Sequence, residues 1–273
     1  MYESHWRLKQ KPFENCSDPR FYFPGESHQA ALLKLRYAVE NQRGGAILAG
    51  PSGTGKTLLV NMLRTVLAPR CAPVVHLVFP QMPTDQLLAY AAAELTGDAA
   101  THHAVELHQT IRRIEQFLAA NTQRGQHAVL VVDEAHLLDE ASTWEALRLL
   151  MNFESSGQPG LSLVISGQPA ILPILDRIPQ LDERLGVKCL LRPFTQAETA
   201  EYVVHRLRSA GGDPGILEPR ALAEIHRLAQ GIPRRINRLC DLALLIGYAE
   251  QRTTLSCDHL VSIHDELVAV VPE

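Results

Sequence analysis

The sequence lacks most of what would mark a secreted, metal-held or membrane-spanning protein. Cysteine is scarce, with five in 273 residues: Cys16, Cys71, Cys189, Cys240 and Cys257. The number is odd and no two share metal-knuckle spacing, so they read as small buried or surface side chains in a reducing compartment. The histidines, including His102, His103 and His108 near a helix start, have no cysteine or carboxylate at ligand spacing and read as surface or packing residues. Long apolar runs are missing. Runs such as Ala128 to Val132 and Leu242 to Ala249 fall far short of the ~20 residues a membrane span requires. The opening Met1-Tyr2-Glu3-Ser4-His5-Trp6 has no basic stretch leading into an apolar one, so no secretory signal is expected. A positive excess is also absent. The net charge of −4 gives no bulk footprint for nucleic acid and leaves room only for a local patch. The expectation is a soluble, cytoplasmic protein.

Apolar residues at 46% and charged residues at 21% match ordinary globular usage, and the length suffices for a core without disulfides or metals. Residues 1–25 read as irregular, with aromatics at Trp6, Phe13, Phe21, Tyr22 and Phe23. These suit docking onto a core. Ser27 reads as the N-cap of a helix running to about Gln42, ended by Gly44-Gly45. Strands and helices then alternate. Strands are expected at Ala46 to Ala49, Pro73 to Phe79, Ala128 to Val132, Leu161 to Ile165 and Val187 to Leu191. Helices are expected at Leu58 to Leu67, from Thr84 as cap to Leu95, at Ala104 to Ala120, and at Ala141 to Phe153, its start favoured by Asp139 and Glu140. This alternation predicts an α/β fold with a five-stranded parallel sheet between helical layers. After Pro193 only helices fit: Gln196 to Ala210, Pro219 to Ala229, Pro233 to Ala249 and Cys257 to Val268. The expected organisation is an α/β nucleotide-binding domain over 1–192, carrying residues 1–25 as an aromatic segment, and a small helical lid domain over 193–273.

The strongest chemical signal is Gly50-Pro51-Ser52-Gly53-Thr54-Gly55-Lys56-Thr57, followed by Leu58. It matches the G-x-x-x-x-G-K-[ST] pattern completely, between a strand and a helix as that pattern demands. Glycines let the backbone curl so that N–H groups point at phosphate oxygens, and the next helix adds its positive end. Lys56 supplies a mobile charge to the β- and γ-phosphates, and the Thr57 hydroxyl suits Mg²⁺. The expected ligands are ATP and Mg²⁺.

Val129 to Val132 is an apolar strand ending in Asp133-Glu134. Asp133 is placed to hold Mg²⁺, and Glu134 to orient and deprotonate the water that attacks the γ-phosphate. The strand from Leu161 ends in Ser166-Gly167-Gln168-Pro169. Its polar side chain would touch the γ-phosphate or the water, with Gln168 chosen and Ser166 the alternative. Arg184, before the fifth strand, suits transition-state charge in a neighbouring subunit, with Arg177 and Arg192 as competitors. Arg234, after Gly231-Ile232-Pro233, suits a guanidinium reaching back to the phosphates. Arg235 and Arg238 read as solvated or interface charges.

The order of these parts resembles the AAA+ ATPase family over almost the whole chain. Within it the sequence is similar to the ExeA/GspA branch, ATPases of general secretion and type IV-like pilus systems. That likeness lies in Lys11-Pro12-Phe13-Glu14, Asp18-Pro19-Arg20-Phe21, Ser27-His28-Gln29-Ala30-Ala31-Leu32, Leu149-Leu150-Met151-Asn152-Phe153-Glu154, Ser166-Gly167-Gln168-Pro169 and Glu198-Thr199-Ala200-Glu201-Tyr202. The resemblance implies a P-loop αβα core with a helical lid and ATP at the cleft. It implies Pro12 and Phe13 near the adenine, and a homo-oligomer, ring or filament, with secretion or pilus-assembly proteins as partners. It further implies a cytoplasmic location, peripheral at the inner membrane through those partners. The branch is also similar to the TniB/MuB type of transposition ATPase, which makes DNA an alternative partner. A third alternative is an ATP-gated adaptor with little turnover, which would have no use for Glu134.

Overall fold

A computed structural model describes residues 1–98, 106–155 and 157–269. His102, His103 and the expected helix start at Ala104 lie outside the described residues. In chain order the elements are α1 (Glu26–Glu40), β1 (Gly45–Ala49), α2 (Lys56–Val66), β2 (Val74–Leu77), α3 (Thr84–Thr96), α4 (Leu107–Gln123), β3 (Ala128–Val132) and α5 (Ala141–Leu150). A hairpin of β4 (Glu154–Ser155) and β5 (Gln158–Pro159) follows, then β6 (Leu161–Gly167), α6 (Ile171–Leu175), α7 (Pro179–Asp182) and β7 (Val187–Leu190). The last four are α8 (Gln196–Ser209), α9 (Pro219–Ala229), α10 (Pro233–Ala249) and α11 (Cys257–Ala269). The chain divides into two compact units. One comprises residues 26–51 and 59–191, and the other residues 1–25, 52–58 and 192–273.

The first unit is the α/β part. Its five-stranded sheet has the order β2-β3-β6-β1-β7, with every pair parallel. The inner strands β1, β3 and β6 are buried at every residue, as expected of a sheet covered on both faces. The edge strand β2 alternates partly exposed with buried residues, and β7 buries only Cys189. Ile47, Leu77, Leu87, Ile114, Leu130 and Ile165 share the core on one side.

The differences from the sequence expectations are local. Helix α1 begins at Glu26, so Ser27 lies inside its first turn and is not the cap. Thr84 is likewise the first helical residue after Pro83, and its hydroxyl bonds Glu140, Ser142 and Thr143 instead. Glu140 stands at the N-cap of α5 without a capping bond, since its carboxylate accepts from Thr84 and Ser142. The hairpin, α6 and α7 were not expected. Two-residue strands and helices of five and four residues are too short to carry a periodic apolar pattern.

The second unit is helical, and residues 1–25 belong to it. The sequence reading attached them to the α/β part. Tyr2, Trp6, Leu8 and Phe13 instead share a core with Val203, Leu207, Leu239, Ala243 and Leu260. Trp6 donates its indole N–H to the Leu244 carbonyl at 2.8 Å. Arg206 of α8 is 2% exposed. It donates to the carbonyls of Pro12 and Glu14, the latter at 2.8 Å, and lies 4.4 Å from the centre of the Phe21 ring. A buried cation is tolerated only when its donors are used, so this guanidinium fastens the N-terminal segment to α8. The entry to α10 is equally constrained. Gly231 has φ +67°, and a Cβ there would lie 2.1 Å from the Phe194 carbonyl oxygen, so only glycine fits.

Arg206→Met should therefore unfold the helical unit at lower denaturant. The buried Pro12 carbonyl loses its donor, at about 1–3 kcal/mol, and the Glu14 carbonyl, in an exposed residue, loses a bond that water can replace. In a Trp144→Phe background the fluorescence of Trp6 reports on this unit alone. An unchanged midpoint would mean that the guanidinium does not anchor the segment.

Candidate functional site

In the α/β unit the chemistry gathers at the carboxyl edge of the sheet. β3 and β1 flank β6, so the chain leaves all three at one edge. Gly50, the first residue of the glycine loop, donates its N–H to the Gly167 carbonyl at the end of β6, 3.1 Å away. Asp133, directly after β3, is 1% exposed. Its Oδ1 accepts the Ser166 hydroxyl at 2.7 Å and the Glu134 N–H at 3.0 Å, and its Oδ2 lies 3.3 Å from His76 Nε2. The carboxylate thus gathers side chains from β2 and β6 and the backbone N–H that follows it.

Glu134 is bent sharply away. Its φ of 48° and ψ of 33° are left-handed, a region that costs a non-glycine residue free energy and recurs at active sites. The bend leaves its side chain partly exposed while Asp133 stays buried. Adjacent carboxylates therefore occupy different environments, a buried polar cluster and an open face. That division suits one residue that binds and one that reacts.

Of the two candidates at the end of β6, the structure brings Ser166 to Asp133. Gln168 is half-buried, and its backbone N–H faces His136 Nδ1 at 3.4 Å. Arg184 is exposed, and its carbonyl accepts the Gly45 N–H at 3.0 Å. That is the amino end of β1, separated from Gly50 by the strand, about 16 Å at ~3.3 Å per residue. Arg177 is exposed after α6. Sequence reasoning missed His76 and His136. Neither stands in a metal or triad spacing; strand order brings His76 to Asp133, and the turn after β3 brings His136 to Glu134.

In the helical unit, residues 52–58 pack against the start of α10. Gly53 and Gly55 have φ of +79° and +97°, so the loop curls as a phosphate cradle must. The Arg234 N–H donates to the Gly53 carbonyl at 3.2 Å. A Cβ on Gly53 would lie 2.8 Å from Arg234 Cβ and 3.1 Å from Ile232 Cγ2. The arginine stem therefore rests on the loop. Lys56 and Thr57 open α2, with Lys56 only 5% exposed. Arg192 is bound by Glu198 at 2.6 Å, which in turn forms the capping box of α8 with Thr195. Pro12 and Phe13 are buried in this unit's core. Phe13 also lines a pocket of about 350 Å³ with Lys11, Asn15, Arg238 and Asp241.

All five cysteines are free thiols, and burial pushes the Cys189 thiol up to about 11, which makes it inert. Among the described residues no cluster of three or more His, Cys, Asp or Glu could hold a metal ion, and no helix is long and apolar enough to cross a membrane.

A family model described as AAA domain matches residues 39–175, half of the chain. General secretion pathway protein A of Aeromonas hydrophila is 34% identical over 256 residues, covering 91% of this chain and 45% of that protein. The chain thus spans a little under half of that relative's length. Among solved structures, Cdc6p of Pyrobaculum aerophilum is similar with a TM-score of 0.73 at 17% identity, over 96% of this chain and 74% of that one. The ORC1 protein of Aeropyrum pernix, solved in complex with DNA, gives 0.70 at 19% identity over 96% and 69%. The Holliday junction branch migration motor RuvB of Thermotoga maritima gives 0.60 at 21% over 89% and 69%. At such identities the likeness of the structures establishes the fold.

The Asp133 cluster generates a prediction of its own. Ser166→Ala removes a hydroxyl donor from a buried carboxylate, and should destabilise the α/β unit by about 1–3 kcal/mol. Hydrogen exchange of the β3 and β6 amides checks this. Unaltered protection would show that the hydroxyl contributes nothing to holding Asp133.

Proposed function

The chain belongs to the AAA domain family, and from that membership we propose that it binds ATP with Mg²⁺ and hydrolyses it to ADP and phosphate. The observation that carries this reading is the glycine loop, set between the buried strand β1 and the first turn of α2. Its curled backbone and Lys56 bind the β- and γ-phosphates, with Gly50 to Leu58 as the cradle. Arg234, resting on Gly53, senses the nucleotide from the helical unit. Thr57 and Asp133 offer a hydroxyl and a carboxylate, hard oxygen donors that fit Mg²⁺. This ion uses few protein ligands beside phosphate and water. When bound, the ion supplies positive charge to the phosphate oxygens. Glu134 orients the attacking water and takes its proton. Ser166 fixes Asp133, and Gln168 contributes a polar group at the end of β6. Pro12 and Phe13 border the adenine.

We assign Arg184 to the site of a neighbouring copy in a homo-oligomer, because the length of β1 separates it from its own Gly50. The 34% identity to a general secretion pathway protein supports coupling of the cycle to a secretion or pilus-type assembly. Partners there would hold the protein at the cytoplasmic face of the inner membrane. The DNA reading rests on the resemblance to the TniB/MuB type and meets a net charge of −4, so it ranks second.

Two experiments test this. Lys56→Ala should abolish or strongly weaken binding of a fluorescent ATP analogue, while Glu134→Gln should bind it normally and lose about 10²–10⁴-fold in turnover. Wild-type behaviour of either variant removes the corresponding assignment. Arg184→Ala should bind ATP yet fail to turn it over, and mixing it with Lys56→Ala should restore phosphate release above the sum of the parts. A mixture of exchanging subunits that stays inactive would confine Arg184 to its own surface.

A further inference from the structure

His136 follows the two carboxylates in the 3-10 turn Ala135–Leu137, and its side chain is 11% exposed. Its Nδ1 stands 3.4 Å from Glu134 Oε2 and 3.4 Å from the backbone nitrogen of Gln168. A Cβ on Gly167 would come within 3.3 Å of the His136 backbone nitrogen and 3.4 Å of Nδ1. The imidazole is therefore packed close against the end of β6.

The two partners make opposite demands on one atom. The Gln168 N–H only donates, so it requires a lone pair on Nδ1. The Glu134 carboxylate only accepts, so it requires a hydrogen there. In this structure Nδ1 accepts the Gln168 N–H in a long hydrogen bond, while the Glu134 oxygen stands equally near without one, so the nitrogen lies within reach of both partners. The ring satisfies either partner without gaining a proton. With its hydrogen on Nδ1 it donates to Glu134, and with its hydrogen on Nε2 it accepts from Gln168. Glu134 has particular need of a tether. Its left-handed backbone is not a conformation it would keep unaided. Its own N–H is bound to Asp133, but this fixes the main chain and not the carboxylate.

We propose that His136 is a positioning residue for Glu134. It holds the carboxylate toward the end of β6 and releases it when Nδ1 takes the Gln168 N–H, so the orientation of the water-activating group follows the conformation of the loop after β6. This rests on the reading of Glu134 as the base.

Two substitutions separate the polar role from packing. His136→Phe keeps a ring against Gly167 and removes both nitrogens. His136→Asn gives up the ring and keeps an amide near Nδ1 that both donates and accepts. Outer-shell partners that orient metal ligands typically contribute about 10- to 100-fold, and a loss of that order is expected here. His136→Phe should lose that much in kcat with KM for ATP changed by less than ~3-fold, and His136→Asn should recover most of it. In a Glu134→Gln background, single-turnover hydrolysis should show no further loss from His136→Phe, because the carboxylate to be oriented is gone. Wild-type kcat in His136→Phe overturns the proposal. So does His136→Asn as impaired as His136→Phe, or an additive loss in the double variant. If Glu134→Gln is inactive while His136→Phe is not, only the role of His136 falls. If Glu134→Gln itself retains full turnover, the base assignment falls and takes this proposal with it.

Discussion

A buried carboxylate at the end of β3 is the constraint on which the α/β unit depends. Removing a carboxylate from water is costly unless its oxygens are engaged. Asp133 meets that requirement with donors from two other chain segments and from its own successor. The requirement fixes register as well as charge. Leu77 pairs with Val132, and Val132 with Ile165, so His76 and Ser166 arrive beside Asp133 together. A slip of one residue in β6 would turn Ser166 to the opposite face and leave the carboxylate without its hydroxyl. The polar cluster therefore positions the loops at this edge to within a hydrogen-bond length.

The helical unit solves a different problem with a similar device. Its N-terminal segment has a single short helical turn, Pro19–Phe21, and scattered turn bonds such as Leu8 N–H to the Glu3 carbonyl at 2.8 Å, so part of its backbone needs partners elsewhere. Arg206 supplies the missing donors to Pro12 and Glu14, and Asn15 joins Asn237, itself bonded to Tyr202. Aromatic packing of Phe23 with Phe194 and Tyr202 closes the same region. The loop of residues 52–58 packs with this unit through Gly53 and Arg234, yet it is continuous with β1 through Pro51.

Legibility in the sequence followed the range of the interactions. The glycine loop was plain because its chemistry lies in eight consecutive residues, and β3 was plain because five consecutive apolar residues suit only a strand buried on both sides. The helices from α8 to α11 were readable from 3.6-residue periodicity bounded by glycine and proline. Caps were less readable. Ser27 and Thr84 have the right chemistry for a cap, but a hydroxyl goes to whichever partner the fold offers, and for Thr84 that is Glu140, Ser142 and Thr143.

By itself the sequence determined the alternation of strands and helices, the parallel sheet and the place of the phosphate loop, since these depend on neighbours along the chain and on the backbone freedom of single glycines. Only the tertiary structure decided that Ser166 reaches Asp133, that His136 stands between Glu134 and Gln168, that Arg184 lies at the far end of β1 and that residues 1–25 pack with the helices. Apart from the short His136–Glu134 step, these contacts join residues many positions apart. Strand order and core packing bring them together, and the pattern of any one segment carries no record of which other segment will lie beside it.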